Sequence, residues 1–516
     1  MEETTPPSTS SQNNRRIAKN TLMLYFRMIL TMLVSLYTSR VVLNKLGVED
    51  FGIYNVVGGI ATMLSFFNGA MSSATQRFLS YDIGLGDLSK LRNTFNAALL
   101  IHICIALLIF LLGETIGLWF VKSYLVIPTE RMDAAIWVYH FAILSFMITI
   151  IQVPYNATII AHERMNMYAY FSILEVTLKL LIVFMLTWIS YDKLKLYGLL
   201  HFLVVFSIYA IYNIYTSRKF EETKFEIVKD WTLFKTMISF SGWSLFSNIA
   251  FVAKGQMVGI ILNMFFGPVV NAAQAVANQV QGGLNNFSSN FQVAVNPQII
   301  KSYASNEGNY LITLIVSSAK FSYFLLLFLS LPIIVEIDQV LKLWLKTVPE
   351  FSNSFTILLL ITVLLDSMSR SLRTAIQATG RIKLYESVIG TISILTLPVS
   401  YLFLKMGFHP NIVFIINILI AIIDLFLRLY NAHRLIDFPI SIFVNKVIIK
   451  NIFITLFCLS LPLVLKNVMD ESLSRLIIIT IVSLFWNTFI ILIIGLNNSE
   501  KTSLYKELKK IFKRIA

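Results

Sequence analysis

Charged residues are scarce in this chain. Asp, Glu, Lys and Arg make up 14% of its 516 residues, whereas 56% are hydrophobic. A soluble protein of this length could not bury so much apolar surface, so the composition argues against a soluble protein and indicates a polytopic membrane protein. The polar start of the chain lacks a basic segment, and no cleavable signal peptide is expected.

Cysteine is nearly absent as well. Cys104 and Cys458 are the only two, and both lie in predicted membrane spans, which argues against a disulfide framework and a cysteine-based zinc site. Walker A, HExxH, GxSxG and strand-associated GxGxxG signatures are also missing. We therefore predict no enzyme activity, no cofactor and no metal site. Any transport would be driven by an ion gradient, with H+ or Na+ as candidates, or by the gradient of the substrate.

Hydrophobic runs of about 20 residues recur along the whole length, as a helix that crosses a ~30 Å hydrocarbon core requires. They predict an all-α membrane protein of about fourteen transmembrane helices. The runs lie near residues 17–42, 51–79, 94–121, 134–160, 168–190, 196–216, 234–263, 268–300, 310–335, 354–378, 384–406, 411–432, 441–465 and 473–496.

The net charge of +14 follows from the positions of the Lys and Arg residues. An even number of spans places both termini on one side. The loops and tails of that side hold 21 Lys and Arg residues, against 10 on the other side. The positive-inside rule therefore predicts that both termini are cytoplasmic, and the charge is not a nucleic-acid signal.

Two of the predicted helices carry the same hydrophilic seam. The steps between seam positions alternate between three and four residues, so each seam follows one helix face. The first seam consists of Asn55, Gly58, Thr62, Ser65, Gly69, Ser72 and Gln76. The second, displaced by 220 residues, consists of Asn278, Gly282, Asn285, Ser289, Gln292 and Asn296. In lipid such a seam must face protein or a water-filled cavity, and a duplicated helix bundle around a polar cavity is typical of transporters.

A second repeated motif supports a duplication within the chain. Residues 161–164 (Ala-His-Glu-Arg) match residues 378–381 (Ala-Thr-Gly-Arg) at a displacement of 217. With six spans in each half, the two lobes are expected to be parallel repeats. We predict a cytoplasmic tail (1–16), a first six-helix lobe (17–216), a cytoplasmic linker (217–230), a second six-helix lobe (231–432), two additional helices (433–496) and a basic amphipathic tail (497–516).

Cations within the spans are candidate substrate ligands, because burying a charge in lipid is costly. Arg27 and Lys254 have no acidic residue one helical turn away in sequence, and each lies in the first span of its lobe. Arg77 closes the second span beside the first seam. Phosphate is a natural partner for Arg and Lys, so these three residues are predicted to bind a diphosphate or another anionic group.

Other polar residues within the spans receive different roles. Acidic and basic residues spaced i, i+4 can neutralise each other or act in gating and ion coupling; these are Glu175 with Lys179, Asp366 with Arg370, and Asp424 with Arg428. Candidates for proton coupling are His102, Glu114 and His140. The amides and hydroxyls predicted to face a sugar are Asn55, Thr62, Ser65, Gln76, Asn278, Asn285, Gln292 and Asn296.

Three segments resemble a known family. They are residues 46–54 (Leu-Gly-Val-Glu-Asp-Phe-Gly-Ile-Tyr) after a span with a mid-helix Arg, Ala161-x-x-Arg164, and residues 267–271 (Gly-Pro-Val-Val-Asn). The chain resembles the polysaccharide-transporter branch of the multidrug/oligosaccharidyl-lipid/polysaccharide (MOP) superfamily, as in O-antigen flippases. The resemblance implies two six-helix lobes, two extra helices, and cationic cavity residues that hold a diphosphate, foremost Arg27.

The resemblance also implies a function. It is the flipping of undecaprenyl-diphosphate-linked oligosaccharides across the bacterial inner membrane for O-antigen, capsule or exopolysaccharide synthesis. Expected partners are the lipid-linked oligosaccharide, membrane lipids, and polysaccharide polymerase or ligase machinery. A lipid II flippase and an ion-coupled drug antiporter of the same fold are the alternatives. The antiporter is disfavoured because the first two spans hold Arg27, Arg40 and Arg77 and no acidic residue, whereas such antiporters usually place a carboxylate in the first lobe.

Overall fold

The computed structural model of the chain describes residues 9–46, 50, 53–54, 57, 65–125, 127–189, 191–266, 268–345, 348–498 and 500–502. Every regular element in these residues is helical, so the all-α prediction is confirmed. The seam residues Asn55, Gly58 and Thr62 lie outside the described residues.

The α-helices, in chain order, are α1 (Thr9–Leu46), α2 (Ser65–Leu85), α3 (Leu88–Leu112), α4 (Leu118–Tyr124), α5 (Met132–Ala161), α6 (Met165–Trp188), α7 (Lys193–Lys219), α8 (Trp231–Phe266), α9 (Pro268–Ala304), α10 (Gly308–Val335), α11 (Ile337–Leu345), α12 (Ser352–Ala378), α13 (Lys383–Lys405), α14 (Ile412–Ile436), α15 (Ile440–Phe443), α16 (Lys450–Val468) and α17 (Leu473–Ile490).

Within the described residues, 11 helical stretches are long and apolar enough to cross a membrane. They coincide with eleven of the fourteen predicted spans. The other three predictions fall on α2, α8 and α9, which are helices of 21, 36 and 37 described residues. Polar residues lower the mean hydropathy of α2 and α9, as expected of membrane helices that face protein or a polar cavity.

Several local features do not show in the hydropathy pattern. A π turn at Gly113–Gly117 joins α3 to α4, and two more lie at Val444–Ile449 and Ile491–Gly495. The short helix α11 falls between two predicted spans. A single extra residue in a helical turn leaves the average hydropathy of a span unchanged, so such turns are not visible in the sequence pattern.

The chain forms two compact units that do not coincide with the predicted lobes. The first unit comprises Met1–Ile249, Val293–Gly308 and Gly380–Ser387, and the second comprises Ala250–Gln292, Asn309–Thr379 and Val388–Ala516. The boundaries therefore run through α8, α9 and α13. The ends of these three helices pack with the first half of the sequence in the first unit.

The first unit has a core of apolar and aromatic side chains from α2, α3, α5, α6 and α7. Phe95 packs edge-on against Tyr155, with ring centroids 5.4 Å apart. At the predicted periplasmic end, the Arg131 guanidinium joins Asp50 at 2.6 Å and Asp192 at 2.7 Å. Partial burial disfavours the Asp192 charge, but the hydrogen bonds from Arg131 and from backbone N–H groups outweigh it and hold the Asp192 pKa below its usual range.

The second unit has a core of aliphatic side chains that includes closely packed aromatic rings. Phe355 of α12 packs against Phe414 of α14 with ring centroids 4.3 Å apart. Ion pairs connect the last helices to α10 and to Glu336, the residue that follows α10. Arg475 Nε lies 3.1 Å from Glu336 Oε1, and Lys320 Nζ lies 2.9 Å from Glu500 Oε2. Because Arg475 lies in the first turn of α17 and Glu500 lies beyond its last residue, these contacts anchor both ends of that segment.

Candidate functional site

A cluster of buried and half-buried charges lies within the second unit. Its residues belong to α8, α12 and α14 and interact electrostatically with one another. Four are cations and two are carboxylates, so the cluster carries an excess of two formal positive charges. Its members are Lys254, Asp366, Arg370, Arg373, Asp424 and Arg428.

Helical spacing assembles this cluster. Asp366, Arg370 and Arg373 are spaced i, i+4 and i+7, which places them on one face of α12. Asp424 and Arg428 are spaced i, i+4 on α14, where Arg428 Nη2 lies 3.6 Å from Asp424 Oδ2. The predicted pairing of these two residues is therefore found in the structure, although Arg428 also takes part in a wider network.

Hydrogen bonds orient the two central guanidinium groups. Arg428 Nη1 donates to Ser369 Oγ at 2.6 Å, and Arg370 Nη2 donates to Asn285 Oδ1 at 2.9 Å. Asn285 belongs to the second seam, so the cluster and the seam are in direct contact. Among the described residues, Arg370 Nε and Asp424 Oδ1 are buried atoms with no hydrogen-bond partner. The unused donor of Arg370 beside excess positive charge is the chemistry of an anion site, whereas Asp424 Oδ1 is an acceptor and adds nothing to the binding of an anion.

The other residues of the second seam serve different purposes. Gln292 Nε2 donates to Ser322 Oγ at 2.9 Å, so this amide links α9 to α10. Asn278 is exposed, and Asn296 is half-buried in the first unit. Only Asn285 is thus shown to contact the charge cluster. In the first seam, Ser65 lies in α2 and Gln76 is half-buried.

Arg27 lies within the first unit against one face of α6. Its Nη1 donates to Ser172 Oγ at 3.3 Å, and its guanidinium lies 4.6 Å from the centroid of the Tyr168 ring. The same face continues to Glu175, whose carboxylate accepts from Lys179 Nζ at 2.6 Å. The predicted pair of Glu175 and Lys179 is therefore formed. Arg27 keeps a cation–π and hydroxyl environment that is compatible with anion binding.

Arg77 lies in an aromatic environment. Its guanidinium lies 4.6 Å from the Phe78 ring, 4.8 Å from the Tyr81 ring and 5.6 Å from the Phe240 ring. A Cβ at Gly380 would lie 2.9 Å from Arg77 Nη2, so this glycine permits the close approach. Arg77 is buried at a packing contact between α2, α8 and the turn before α13. Its assignment to the substrate stays a prediction.

The three proton-coupling candidates separate into two places. His140 Nδ1 lies 2.9 Å from Glu114 Oε1, so these two residues form one pair at the π turn. Tyr139 donates to the Gly113 carbonyl at 2.6 Å and stabilises that turn. His102 is buried elsewhere, with Nδ1 2.7 Å from the Ala98 carbonyl. The described residues hold no group of His, Cys, Asp and Glu side chains suited to a metal ion.

Sequence patterns overlooked part of this arrangement. Arg373 is not among the predicted site residues, and the sequence predicts Asp424 with Arg428 as a neutralising or gating pair and not as part of a larger cluster. The i+7 spacing of Arg373 from Asp366 was available as a signal. Glu163 was treated only as part of a repeat motif, yet its side chain is fully buried among cations. Nothing in a single sequence shows that a turn residue will be buried.

Comparison with known proteins agrees with this architecture. Residues 17–300 match the family model described as "Polysaccharide biosynthesis protein". No curated protein sequence matches the chain significantly. Solved structures share the fold. An outward-facing multidrug resistance MATE family transporter of the MOP superfamily aligns with a TM-score of 0.67 at 13% identity, covering 84% of this chain and 99% of that one.

Two further structures give the same result. A MATE transporter of Vibrio cholerae has a TM-score of 0.64 at 16% identity, with 82% of this chain and 97% of that chain covered. A MOP superfamily transporter of Pyrococcus furiosus has a TM-score of 0.66 at 14% identity, with 83% and 99% covered. The chain belongs to the polysaccharide biosynthesis protein family, and is a multi-pass membrane transporter of the MOP superfamily with a MATE-like fold.

Proposed function

We propose that this transporter is a flippase for undecaprenyl-diphosphate-linked oligosaccharides. It moves them from the cytoplasmic to the periplasmic leaflet of the bacterial inner membrane, with both of its own termini in the cytoplasm. The product serves O-antigen, capsule or exopolysaccharide synthesis. Membership of the polysaccharide biosynthesis protein family supports a glycan cargo.

The observation that carries the proposal is the excess positive charge of the cluster around Arg370. A diphosphate ester bears a negative charge on each phosphate, which matches the two excess positive charges. A cationic drug would meet repulsion at the same place. Arg370 is suited to phosphate because its planar fork can donate two parallel hydrogen bonds.

The neighbouring seam suits the sugar portion. Asn285 holds Arg370 and offers a further donor through its amide nitrogen, while Asn278 is exposed on the same seam. Amides can donate to and accept from sugar hydroxyls. Arg27 in the first unit and Lys254 in the second are each proposed as a phosphate ligand. The lobes would alternate in access, with the prenyl chain remaining in lipid.

Complementation tests this function. The chain is expressed in a strain that lacks its O-antigen flippase and, separately, in a strain depleted of its lipid II flippase. Rescue of surface polysaccharide alone is expected. Rescue of growth alone would move the substrate to the peptidoglycan precursor, and failure of both at normal membrane abundance would refute the proposal.

A variant series then tests the charge cluster. Arg370→Gln removes about 1.5–3 kcal/mol of charge-assisted hydrogen bonding, so binding of the diphosphate should weaken roughly 10- to 100-fold. Arg370→Lys keeps the charge without the fork and should be intermediate. Arg434→Gln removes an exposed cation at the end of α14 and is the matched control. Full polysaccharide in Arg370→Gln cells would remove the cluster from the binding site.

A further inference from the structure

Glu163 lies in the turn between α5 and α6, and its side chain is 0% exposed. Three donors converge on its carboxylate. Arg16 Nε lies 2.6 Å from Oε2, Gln298 Nε2 donates to Oε2 at 2.7 Å, and Lys301 Nζ donates to Oε1 at 2.7 Å. Asn20 donates to the Glu163 carbonyl at 3.3 Å. The three donors belong to α1 and α9 and surround one anionic group.

The backbone of Glu163 is unusual. Its φ is 59°, in the left-handed region, where a residue with a Cβ is disfavoured and glycine is typical of helix C-termini. The repeat-related position is Gly380, with a φ of 75°. Both halves therefore use the same turn, and only the first places a carboxylate there. The contacts of that carboxylate must offset the unfavourable backbone conformation.

The contacts join segments that are far apart in sequence, all within the first unit. Beside Lys301, Gly84 of α2 packs so closely on α9 that a Cβ would lie 2.8 Å from Ala304 Cβ. The Tyr81 and Tyr303 ring centroids are 6.4 Å apart. These contacts lie at the predicted cytoplasmic end. Glu163 thus holds α1 and α9 to the α5–α6 turn of the first half.

Two cations and an amide that surround an oxyanion form an anion-binding site. We propose that Arg16, Gln298 and Lys301 form a second phosphate site, which Glu163 occupies in this state as an internal competitor. A phosphate of the substrate displaces the carboxylate and releases the packed helix ends. This inference rests on the proposed function, because it makes substrate binding the signal for opening at the cytoplasmic side.

Direct binding tests the site with inorganic pyrophosphate as the probe. The full chain is purified in phosphatidylcholine nanodiscs and carries Arg370→Gln, so that the cluster of the second unit contributes little. Glu163→Gln keeps the shape of the side chain and removes its charge, and it should bind pyrophosphate about tenfold more tightly, the effect of one charge-assisted hydrogen bond. Adding Lys301→Gln should abolish the gain.

Cross-linking tests the release of the helix ends. Tyr81→Cys and Tyr303→Cys are joined by a short bismaleimide in a protein without its native cysteines. Pyrophosphate should lower the yield, sulfate should lower it less, and Glu163→Gln should lower it without any added anion.

Glu222→Gln is the matched control. This neighbouring buried carboxylate accepts from His162 at 2.5 Å outside the site, and its loss should change neither readout. Glu163→Gly removes the side chain and also the steric cost of the positive φ, so it serves as a second variant if Glu163→Gln folds poorly.

The outcomes separate the sources of phosphate. A response to pyrophosphate, with none to replacement of phosphatidylcholine by phosphatidylglycerol, supports a substrate phosphate. A response to phosphatidylglycerol alone would overturn the proposal in favour of a lipid headgroup. Unchanged pyrophosphate affinity in Glu163→Gln would overturn the site itself. Neither result touches complementation, so failure here is distinguishable from failure of the proposed function.

Discussion

Gly84→Ala is expected to weaken the packing of α2 against α9. In the structure, a Cβ at this position would lie 2.8 Å from Ala304 Cβ and 2.9 Å from the Lys301 carbonyl oxygen. Non-bonded carbons prefer separations of about 3.5–4.0 Å, so the two helix ends must move apart by roughly 1 Å. Both helices pack through backbone here, and no side-chain rotation can relieve the contact.

Two effects of opposite sign determine the magnitude. Alanine favours the helix by about 1 kcal/mol relative to glycine, but this gain applies whether or not α2 contacts α9. Overpacking costs about 1–3 kcal/mol and applies only in the packed state. The equilibrium should therefore shift away from the packed state by roughly 5- to 150-fold.

Bismaleimide cross-linking between cysteines at Tyr81 and Tyr303 measures that equilibrium. The matched control is Gly69→Ala on the same helix, where a Cβ meets nothing within 4 Å. The yield should fall in Gly84→Ala and stay unchanged in Gly69→Ala. An unchanged yield in Gly84→Ala, or an equal fall in both variants, would refute the steric reasoning.

Three further predictions concern stability, measured by thermal unfolding in detergent. Arg475→Met leaves the buried carboxylate of Glu336 without its cation and should lower the free energy of unfolding by about 3–5 kcal/mol. A second substitution, Glu336→Leu, should restore most of that stability. A double variant as unstable as Arg475→Met would contradict this. Because the Asp192 pKa is lowered on folding, its contribution is present above its unfolded pKa of about 3.9 and is lost as pH falls through the folded value, so Asp192→Asn should flatten that acid-side decline. Gly117→Ala would bring a Cβ into the Tyr139 hydroxyl and should destabilise the protein by about 1–3 kcal/mol. Tyr139→Phe should restore part of that stability, and a lack of recovery would count against the contact.

Hydropathy predicted most of the fold because lipid requires long apolar helices with satisfied backbone groups. It was least informative for α2, α8 and α9, where the polar residues lie. The polar residues that interrupt these helices nevertheless indicated where candidate site residues lie. Asn285 was selected by its seam position alone, and the structure places it against Arg370. The division into compact units was not predictable from the spans, because it depends on which helix ends pack together.

The candidate site was predictable only where the pattern is local. Pairs spaced i, i+4, such as Glu175 with Lys179, follow from helix geometry and are formed. Contacts between distant segments do not follow from spacing. Arginine is a residue type that commonly binds phosphate, but the Arg77 guanidinium is surrounded by the rings of Phe78, Tyr81 and Phe240. Phe78 and Tyr81 are neighbours of Arg77 on α2, but a sequence read one helix at a time cannot show that Phe240 of α8 will also cover this cation.

The two halves of the duplicated chain differ in where they place charged residues. The turn with positive φ occurs in both halves, but the first holds Glu163 and the second holds Gly380 beside Arg77. The excess cations of the second unit lie within its helices, far in sequence from the turn carboxylate. Because the halves are predicted to be parallel repeats, both turns belong to the same predicted end of the protein. The carboxylate therefore distinguishes the first half from the second, and the proposed response to an anion depends on Glu163 alone.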